Sequence, residues 1–273
     1  MRVWVNGSVL SDPAAGVIAV DDHGVTVGDG VFESVKVEES VPFALTRHLD
    51  RLATSARGLG LDAPDLAAVR EGVAAVLSGA RGLGRLRITY TAGRAPMGSG
   101  RSGGLPTVVV AYGPLAPAAS SVTVRSVPWA RNERGATAGL KTTSYAENVI
   151  ALAHAQAYAA DEAIFANTVG NLCEGTGSNI FYVVDGELRT PTLASGCLAG
   201  VTRALVLEWC DAREVDEPLG EALATMSEAF LVSTTRDVQP IARFDERTLP
   251  APGPVTAHCA QVWAQQAALS VDP

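Results

Sequence analysis

The chain has 273 residues, 47% of them hydrophobic and 18% charged, so it can bury one large core or two medium-sized ones. Its formal net charge of −8 at pH 7 argues against a nucleic-acid partner, because clustered cations bind nucleic acids. No apolar run reaches the roughly 18 residues of a membrane span and the N-terminal segment lacks a signal-peptide core, so we expect a cytoplasmic protein with no membrane partner.

The first 112 residues mix strands with two helical stretches, which predicts an α+β arrangement. Alternation of apolar and polar residues predicts a hairpin at 3–10 and strands at 30–39, 85–91 and 107–112, and a period near 3.6 predicts helices at 46–60 and 64–80. Val35 and Val37 share one face of the strand at 30–39. Leu49, Leu52 and Ala56 share one face of the first helix.

A segment without charge separates the two halves of the sequence. Residues 113–121, GPLAPAASS, contain two prolines and several small residues, which is typical of a linker. We therefore predict a small N-terminal α+β domain at 1–112 and a larger C-terminal domain at 122–273.

The second half again alternates strands and helices. The pattern predicts a helix in the second half of 139–160, a helix that begins within 198–209, and strands at 122–128, 162–167, 179–191 and 228–234. The Asp-Gly pair at 185–186 predicts a hairpin turn. In the first helix, Val149, Leu152 and Ala153 have the spacing of a buried face.

The cysteines and histidines do not indicate a metal site. No two of them have the CxxC or HExxH spacing of zinc ligands, and the wide separation of the cysteines does not predict a disulfide framework. We expect four buried thiols, at Cys173, Cys197, Cys210 and Cys259.

Lysine is scarce in this chain, which has nineteen arginines but only Lys36 and Lys141. A desolvated lysine can lose its proton and act as a nucleophile or base, whereas arginine stays protonated. Lys141 follows a glycine and precedes a predicted helix, where its side chain can point into a cleft. Scarcity alone leaves chance survival open for both lysines.

One glycine-rich segment matches the sequence pattern of a dinucleotide-binding motif but not its structural context. Residues 98–103, GSGRSG, match GxGxxG, but a dinucleotide fingerprint opens a helix after a strand, and the element predicted next is a strand. A mobile loop is the better interpretation.

Two other turns are suited to bind an anion. In LAGVTR, a glycine before a predicted helix leaves the backbone N–H groups of Val201 and Thr202 free to donate, although an ordinary helix start looks the same. A second group of hydroxyls and N–H groups follows a predicted strand, at Ser233, Thr234 and Thr235. A plain turn would again look similar.

Glu174 lies among small residues in LCEGTGSNIF, just before a predicted strand. Such a carboxylate is either exposed at a turn or held against a cation, and the residues alone favour exposure. Together, an amine, a carboxylate and two phosphate-suited turns are the groups that pyridoxal phosphate (PLP) requires.

Five motifs in a fixed order resemble the class IV aminotransferases, the PLP enzymes of fold type IV. They are LDRL, GLKTTSYAENV, EGTGSNIF, LAGVTR and VSTTRDVQPI. The family includes branched-chain and D-amino-acid aminotransferases and aminodeoxychorismate lyase. The resemblance covers most of the chain and implies a two-domain α/β (α+β) fold, with PLP in the cleft between the domains. It also implies a homodimer with its sites near the subunit interface.

The resemblance assigns roles by position. It implies that Lys141 forms the internal aldimine and moves the proton, and that Glu174 pairs with the protonated pyridine nitrogen. Lys36 has no such role, because its position varies between Lys and Arg. The remaining cofactor-binding residues implied by the motifs are Arg51, Val201, Thr202 and Thr234 at the phosphate, with Asn179 in support.

Within the family, the sequence favours the lyase. Phe32 stands where D-amino-acid enzymes carry Tyr, no Arg-x-His trap is found, and the lysine segment lacks the Gly-Gly-Asn-Tyr of branched-chain enzymes. Tyr145 stands where lyases often have Arg, which leaves its contact with the cofactor open. We predict a 4-amino-4-deoxychorismate lyase of folate biosynthesis that forms 4-aminobenzoate and pyruvate. The alternative is a branched-chain or D-amino-acid transaminase using 2-oxoglutarate.

Substrate carboxylates require cations, and arginine suits them because it binds in a bidentate manner. Arg85 and Arg87 alternate onto one face of a predicted strand, while Arg94 and Arg101 flank the glycine-rich loop. A solvated strand face explains them nearly as well. The candidate substrate residues are Arg87, Arg101 and Thr235.

Overall fold

The computed structural model describes all residues from 1 to 273, and their contacts divide the chain into two compact units. The N-terminal unit contains Met1–Pro117, Leu140–Tyr145 and Val271–Pro273. The C-terminal unit contains Ala118–Gly139 and Ala146–Ser270. The short segment that carries Lys141 therefore packs with the N-terminal unit, although it follows the predicted linker in sequence.

The N-terminal unit is built on one antiparallel sheet. Its elements are β1 (Arg2–Val5), β2 (Ser8–Val9), α1 (His23–Thr26), β3 (Gly30–Glu38), β4 (Val41–Pro42), α2 (Leu45–Gly58), α3 (Leu66–Leu77), β5 (Leu83–Thr91) and β6 (Thr107–Pro114). The strand order is β2-β1-β6-β5-β3-β4. The predicted hairpin, strands and two helices of this region all lie within these elements or overlap them.

Local sequence explains where these elements begin and turn. Asn6 and Gly7 have φ values of 44° and 97°, which fits the turn between β1 and β2 because Asn and Gly tolerate positive φ. Asp65 caps α3 by accepting the N–H groups of Ala67 and Ala68.

The core of the N-terminal unit lies between its helices and its sheet. Leu49, Leu52 and Ala56 of α2 are fully buried, as are Val35 and Val37 of β3. The predicted apolar faces of this strand and this helix are therefore confirmed.

The C-terminal unit contains a mixed sheet with helices around it. Its elements are β7 (Val122–Arg131), α4 (Ala146–Ala157), β8 (Glu162–Asn167), β9 (Leu172–Gly175), β10 (Asn179–Val184), β11 (Glu187–Thr190), α5 (Val201–Trp209), β12 (Ala212–Glu214), α6 (Leu219–Thr225), β13 (Glu228–Ser233), β14 (Asp237–Phe244), β15 (Arg247–Thr248) and α7 (Pro254–Leu269). The order is β12-β11-β10-β13-β14-β7-β8-β9, and β15 pairs with β14. All four cysteines are buried thiols.

The predicted buried face of α4 is wrong. Val149 is 64% exposed, Ala153 is also exposed and Leu152 is half-buried, whereas Asn148, Ala151 and Ala155 are buried. The buried positions therefore carry two small alanines and Asn148, which uses both ends of its amide in hydrogen bonds. On this helix, the buried residues are therefore small or hydrogen-bonded, and the larger apolar side chain of Val149 is exposed.

No helix in the structure combines the length and the apolar character needed to cross a membrane. The longest one, α7, has 16 residues and begins at Pro254, where a missing N–H is harmless.

We expect Leu52→Ala to lower the free energy of unfolding by about 2–5 kcal/mol, because it removes a fully buried side chain. Val149→Ala should change it by less than about 0.5 kcal/mol, since Val149 is largely exposed. Urea unfolding followed by circular dichroism compares the two variants with the unaltered protein. Equal losses in both variants would contradict the burial described above.

Candidate active site

Backbone hydrogen bonds hold the lysine segment against the start of β3. The N–H of Lys141 donates to Oγ of Ser55 at 3.2 Å, and its carbonyl accepts the N–H of Phe32 at 2.9 Å. Two residues later, the N–H of Thr143 donates to the Gly30 carbonyl at 2.8 Å. The position of the Lys141 backbone is therefore fixed by β3 and α2.

The ring of Phe32 is the surface on which three candidate groups meet. Nζ of Lys141 lies 4.6 Å from the ring centroid, and Cζ of Arg87 lies 3.2 Å from it. The ring of Tyr145 meets it edge-on, with centroids 5.2 Å apart. The structure thus places an amine and a guanidinium beside the same buried aromatic ring.

Arg87 is a cation that is stacked rather than ion-paired. Its side chain donates one long hydrogen bond, 3.4 Å from Nε to Oγ1 of Thr89. Burial lowers the pKa of Arg87 to about 10, which still leaves the guanidinium charged at neutral pH. The neighbouring Arg85 is exposed. Of the two, only Arg87 stacks on the Phe32 ring beside Lys141.

Arg51 is held by a buried carboxylate. Its Nε and Nη2 donate to the two oxygens of Glu33 at 2.8 and 2.7 Å, and Nδ1 of His48 lies 2.7 Å from Oε2 of Glu33. Burial alone would raise the pKa of Glu33, but Arg51 and His48 outweigh it and lower the pKa to about 2. Glu33 is therefore ionised at neutral pH.

In the C-terminal unit, Glu174 of β9 is buried, which overturns the exposure favoured by the residues alone. Its Oε2 accepts the N–H of Leu198 at 2.9 Å, and its Oε1 lies 3.2 Å from Nε of Arg131. Arg131 also stacks over the ring of Phe165, 4.2 Å from Cζ to the centroid. A cation and a backbone donor thus compensate the buried charge.

The turn before α5 leaves its first N–H groups without a side-chain cap. Nδ2 of Asn179 donates to the Leu198 carbonyl at 2.9 Å. A Cβ at Gly200 would lie 2.1 Å from Oδ1 of Asn179, so any larger residue would force Asn179 to move. The helix begins at Val201 with no capping side chain, and its first turn offers the N–H groups of Val201 and Thr202 to an anion.

The turn between β13 and β14 carries Thr234 and Thr235, both partly buried. Asn179 pairs with Val232, so this turn leaves the sheet at the end where the turn before α5 is anchored. The two predicted anion-binding turns therefore lie at one end of the same sheet.

Arg101 is committed to a contact within its own unit. Its Nε and Nη2 donate to the two oxygens of Asp29 at 2.7 and 2.6 Å. His23 completes the cluster, with Nδ1 3.0 Å from Asp29 and Nε2 2.8 Å from the Gly98 carbonyl. A carboxylate and a carbonyl only accept, so both ring nitrogens of His23 donate and the ring is an imidazolium.

The structure groups the predicted residues by unit. Together in the N-terminal unit are Lys141, Arg51 and Arg87, and in the C-terminal unit Glu174, Asn179, Val201, Thr202, Thr234 and Thr235. Residues that the sequence did not identify are Glu33, His48, Arg131 and Glu162. Glu33 was detectable, because it shares the period-two face of the buried Val35 and Val37.

Glu162 holds two of the site's turns. This buried carboxylate accepts the N–H of Thr176, two residues after Glu174, at 3.1 Å. It also accepts Nη2 of Arg236, which follows Thr235, at 3.2 Å. Nothing in the local sequence of the strand EAIFAN indicated this role.

The sequence matches the family described as Amino-transferase class IV over residues 30–244. The chain belongs to the class IV aminotransferase family. The resemblance drawn from the motifs is thereby confirmed, and the chain is a PLP-dependent enzyme of that family.

Relatives with different activities cover most of the chain. A putative branched-chain-amino-acid aminotransferase of Methanocaldococcus jannaschii is 32% identical over 91% of this chain and 90% of its own length. A bifunctional aminodeoxychorismate lyase / D-amino acid transaminase of Mycobacterium tuberculosis is 30% identical over 79% of this chain and 80% of its own. The solved PLP-bound form of a hypothetical aminotransferase from M. tuberculosis covers 100% of both chains, with 27% identity and a TM-score of 0.88. This likeness confirms the fold type IV architecture.

We expect the His23 cluster to make stability depend on pH. The hydrogen bonds to Asp29 and to the Gly98 carbonyl raise the pKa of His23 above its ordinary value of 6.5. Its contribution is therefore complete below about pH 6.5 and is lost as the pH rises through the folded-state pKa. The difference in unfolding free energy between the unaltered protein and His23→Gln should shrink between pH 6 and pH 9, a range set by that ordinary value.

The control is His258→Gln, which changes an exposed histidine of α7. Urea unfolding at several pH values measures both variants. A His23→Gln difference that stays constant over this range would show that the ring does not donate from both nitrogens.

Proposed function

We propose that the chain is a PLP-dependent 4-amino-4-deoxychorismate lyase that releases pyruvate and 4-aminobenzoate. The observation that carries the proposal is the Phe32 ring, with the Lys141 amine 4.6 Å and the Arg87 guanidinium 3.2 Å from its centroid. This arrangement suits an amine substrate that also carries a carboxylate. The segment from Lys141 to Asn148 and the bifunctional relative favour the lyase within the family.

The residues present fit PLP by their chemistry. Glu174 is a compensated, buried carboxylate suited to a protonated pyridine nitrogen, and the uncapped start of α5 suits a phosphate. Bound PLP would withdraw electrons from the carbon that bears the substrate nitrogen. We propose that Lys141 binds its aldehyde carbon and that its phosphate is held by Arg51, Val201, Thr202 and Thr234, with Asn179 in support.

Each residue of the proposed site then has a defined task. The free amine of Lys141 would take the proton from the substrate carbon that bears nitrogen. The C–O bond to enolpyruvate breaks, and the Lys141 ammonium returns a proton to the departing group, which becomes pyruvate. Arg87 holds a substrate carboxylate with two parallel N–H donors. Phe32, which is buried, keeps water from the amine that it contacts.

A transaminase is the second candidate, and the descriptions of two relatives support it. The relative at 32% identity is described as a branched-chain aminotransferase, and the bifunctional relative also as a D-amino acid transaminase. In this reaction Lys141 would return the proton to the cofactor side, and Arg87 would bind the second carboxylate of 2-oxoglutarate.

Aminodeoxychorismate incubated with the purified protein, without a keto acid, should yield pyruvate and 4-aminobenzoate in equal amounts. Lys141→Ala should abolish this activity, because the amine that moves the proton is gone. Lactate-dehydrogenase-coupled absorbance follows the pyruvate. If pyruvate forms no faster than without enzyme, while L- or D-amino acids support glutamate formation from 2-oxoglutarate, the transaminase replaces the lyase.

Arg87→Ala should raise KM for the amino substrate roughly 10- to 100-fold, because a charge-assisted hydrogen-bond pair is worth about 1.5–3 kcal/mol. The matched control is Arg85→Ala, which removes an exposed arginine two residues away on the same strand. Steady-state kinetics of both variants provide the comparison. Equal effects in the two variants would argue for a general loss of positive charge and against a carboxylate site at Arg87.

A further inference from the structure

Glu33 is an ionised side chain on the core face of a strand. It is fully buried, and it shares the face of β3 that carries the buried Val35 and Val37. Burying an ionised carboxylate is costly unless it is paired and hydrogen-bonded. The partners are His48 and Arg51, which project from the same side of α2 because they are three residues apart.

The contact with Arg51 fixes an orientation. Two parallel hydrogen bonds, from Nε to Oε1 and from Nη2 to Oε2, leave a planar guanidinium little freedom to rotate. The edge formed by Nε and Nη2 faces Glu33, so the edge with Nη1 faces away from that carboxylate. Arg51 is also mostly shielded, with 13% of its side chain exposed.

His48 helps to hold the Glu33 carboxylate in the orientation that binds Arg51. Its Nδ1 lies 2.7 Å from Oε2 of Glu33, the oxygen that also accepts Nη2 of Arg51. Burial lowers the pKa of His48 more than the contact with Glu33 raises it, and the charges of Arg51 and Lys141 lower it further. The pair of Glu33 and His48 therefore lies within the electrostatic influence of the proposed lysine.

We propose that Glu33 is a positioning residue for anion binding, which aims the guanidinium of Arg51 at the phosphate of the cofactor. The inference rests on the proposed function, because it requires that PLP bind at Arg51. If Glu33 only linked β3 to α2, it would stabilise the fold but would not affect how the protein distinguishes a phosphorylated ligand from its unphosphorylated form.

The test compares PLP with pyridoxal, which lacks the phosphate. The apo-protein is titrated with each compound, and binding is followed by absorbance and by quenching of tryptophan fluorescence. The measured quantity is the ratio of the two Kd values for the unaltered protein and for Glu33→Gln. We expect the preference for PLP to fall about ten-fold or more in Glu33→Gln, while the Kd for pyridoxal changes little.

Asp29→Asn is the matched control. Asp29 also binds an arginine through both oxygens in the same unit, but its partner is Arg101. The preference for PLP should be unchanged in this variant. If Glu33→Gln does not fold, His48→Gln removes the second support of the carboxylate and should lower the preference in the same direction by a smaller factor.

The outcomes separate the two proposals. An unaltered protein that binds neither compound would overturn the proposed function, and the role of Glu33 with it. An unaltered protein that prefers PLP, together with an undiminished preference in the folded Glu33 or His48 variant, would overturn the role of Glu33 alone. An equal loss of affinity for PLP and pyridoxal in Glu33→Gln would show that Glu33 has only a structural role between α2 and β3.

Discussion

The hydrogen bonds between the lysine segment and the start of β3 are the constraint on which the candidate site depends. Thr143 and Gly30 are 113 residues apart in sequence, yet the hydroxyl and the N–H of Thr143 both meet the Gly30 carbonyl. Together with the bond between Phe32 and Lys141, this pairing fixes the backbone of the reactive lysine. Because the same strand also carries Glu33, it orients both the amine and the arginine proposed to bind phosphate.

Some arginines of this protein make contacts that lysine could not replace. Several carboxylates of this protein are met by an arginine through two parallel hydrogen bonds, as at Arg51, Arg94 and Arg101. Lysine has no planar edge and cannot make this contact. An amine can gain and lose a proton, which arginine does not do, and this is the task proposed for Lys141.

Sequence patterns predicted the parts of the fold in which one apolar face decides burial. The faces of α2 and β3 followed from their periods, because large side chains there can only point into the core. On α4 the same reasoning failed at Val149, since alanines and a hydrogen-bonded Asn148 form the buried face. The spacing of apolar residues along a helix predicts which face is hydrophobic. It does not predict that small or hydrogen-bonded residues will form the buried face instead.

The candidate site was partly predictable for a different reason. Lys141 and Glu174 belong to short motifs, so a family resemblance was enough to select them. Arg131 and Glu162 act through residues far away in sequence, and no local pattern marks such partners. The sequence also did not predict that the lysine segment packs with the N-terminal unit, because its partners in β3 lie on the other side of the predicted linker.

Gly200 shows how the absence of a side chain at one position affects the geometry of the residues around it. Even alanine, the smallest replacement, would collide with Asn179, whose amide also holds the Leu198 carbonyl. Leu198 in turn donates to Glu174, so a single added methyl group would disturb the carboxylate and the start of α5 together. A position that carries no reactive group therefore constrains the geometry around the buried carboxylate.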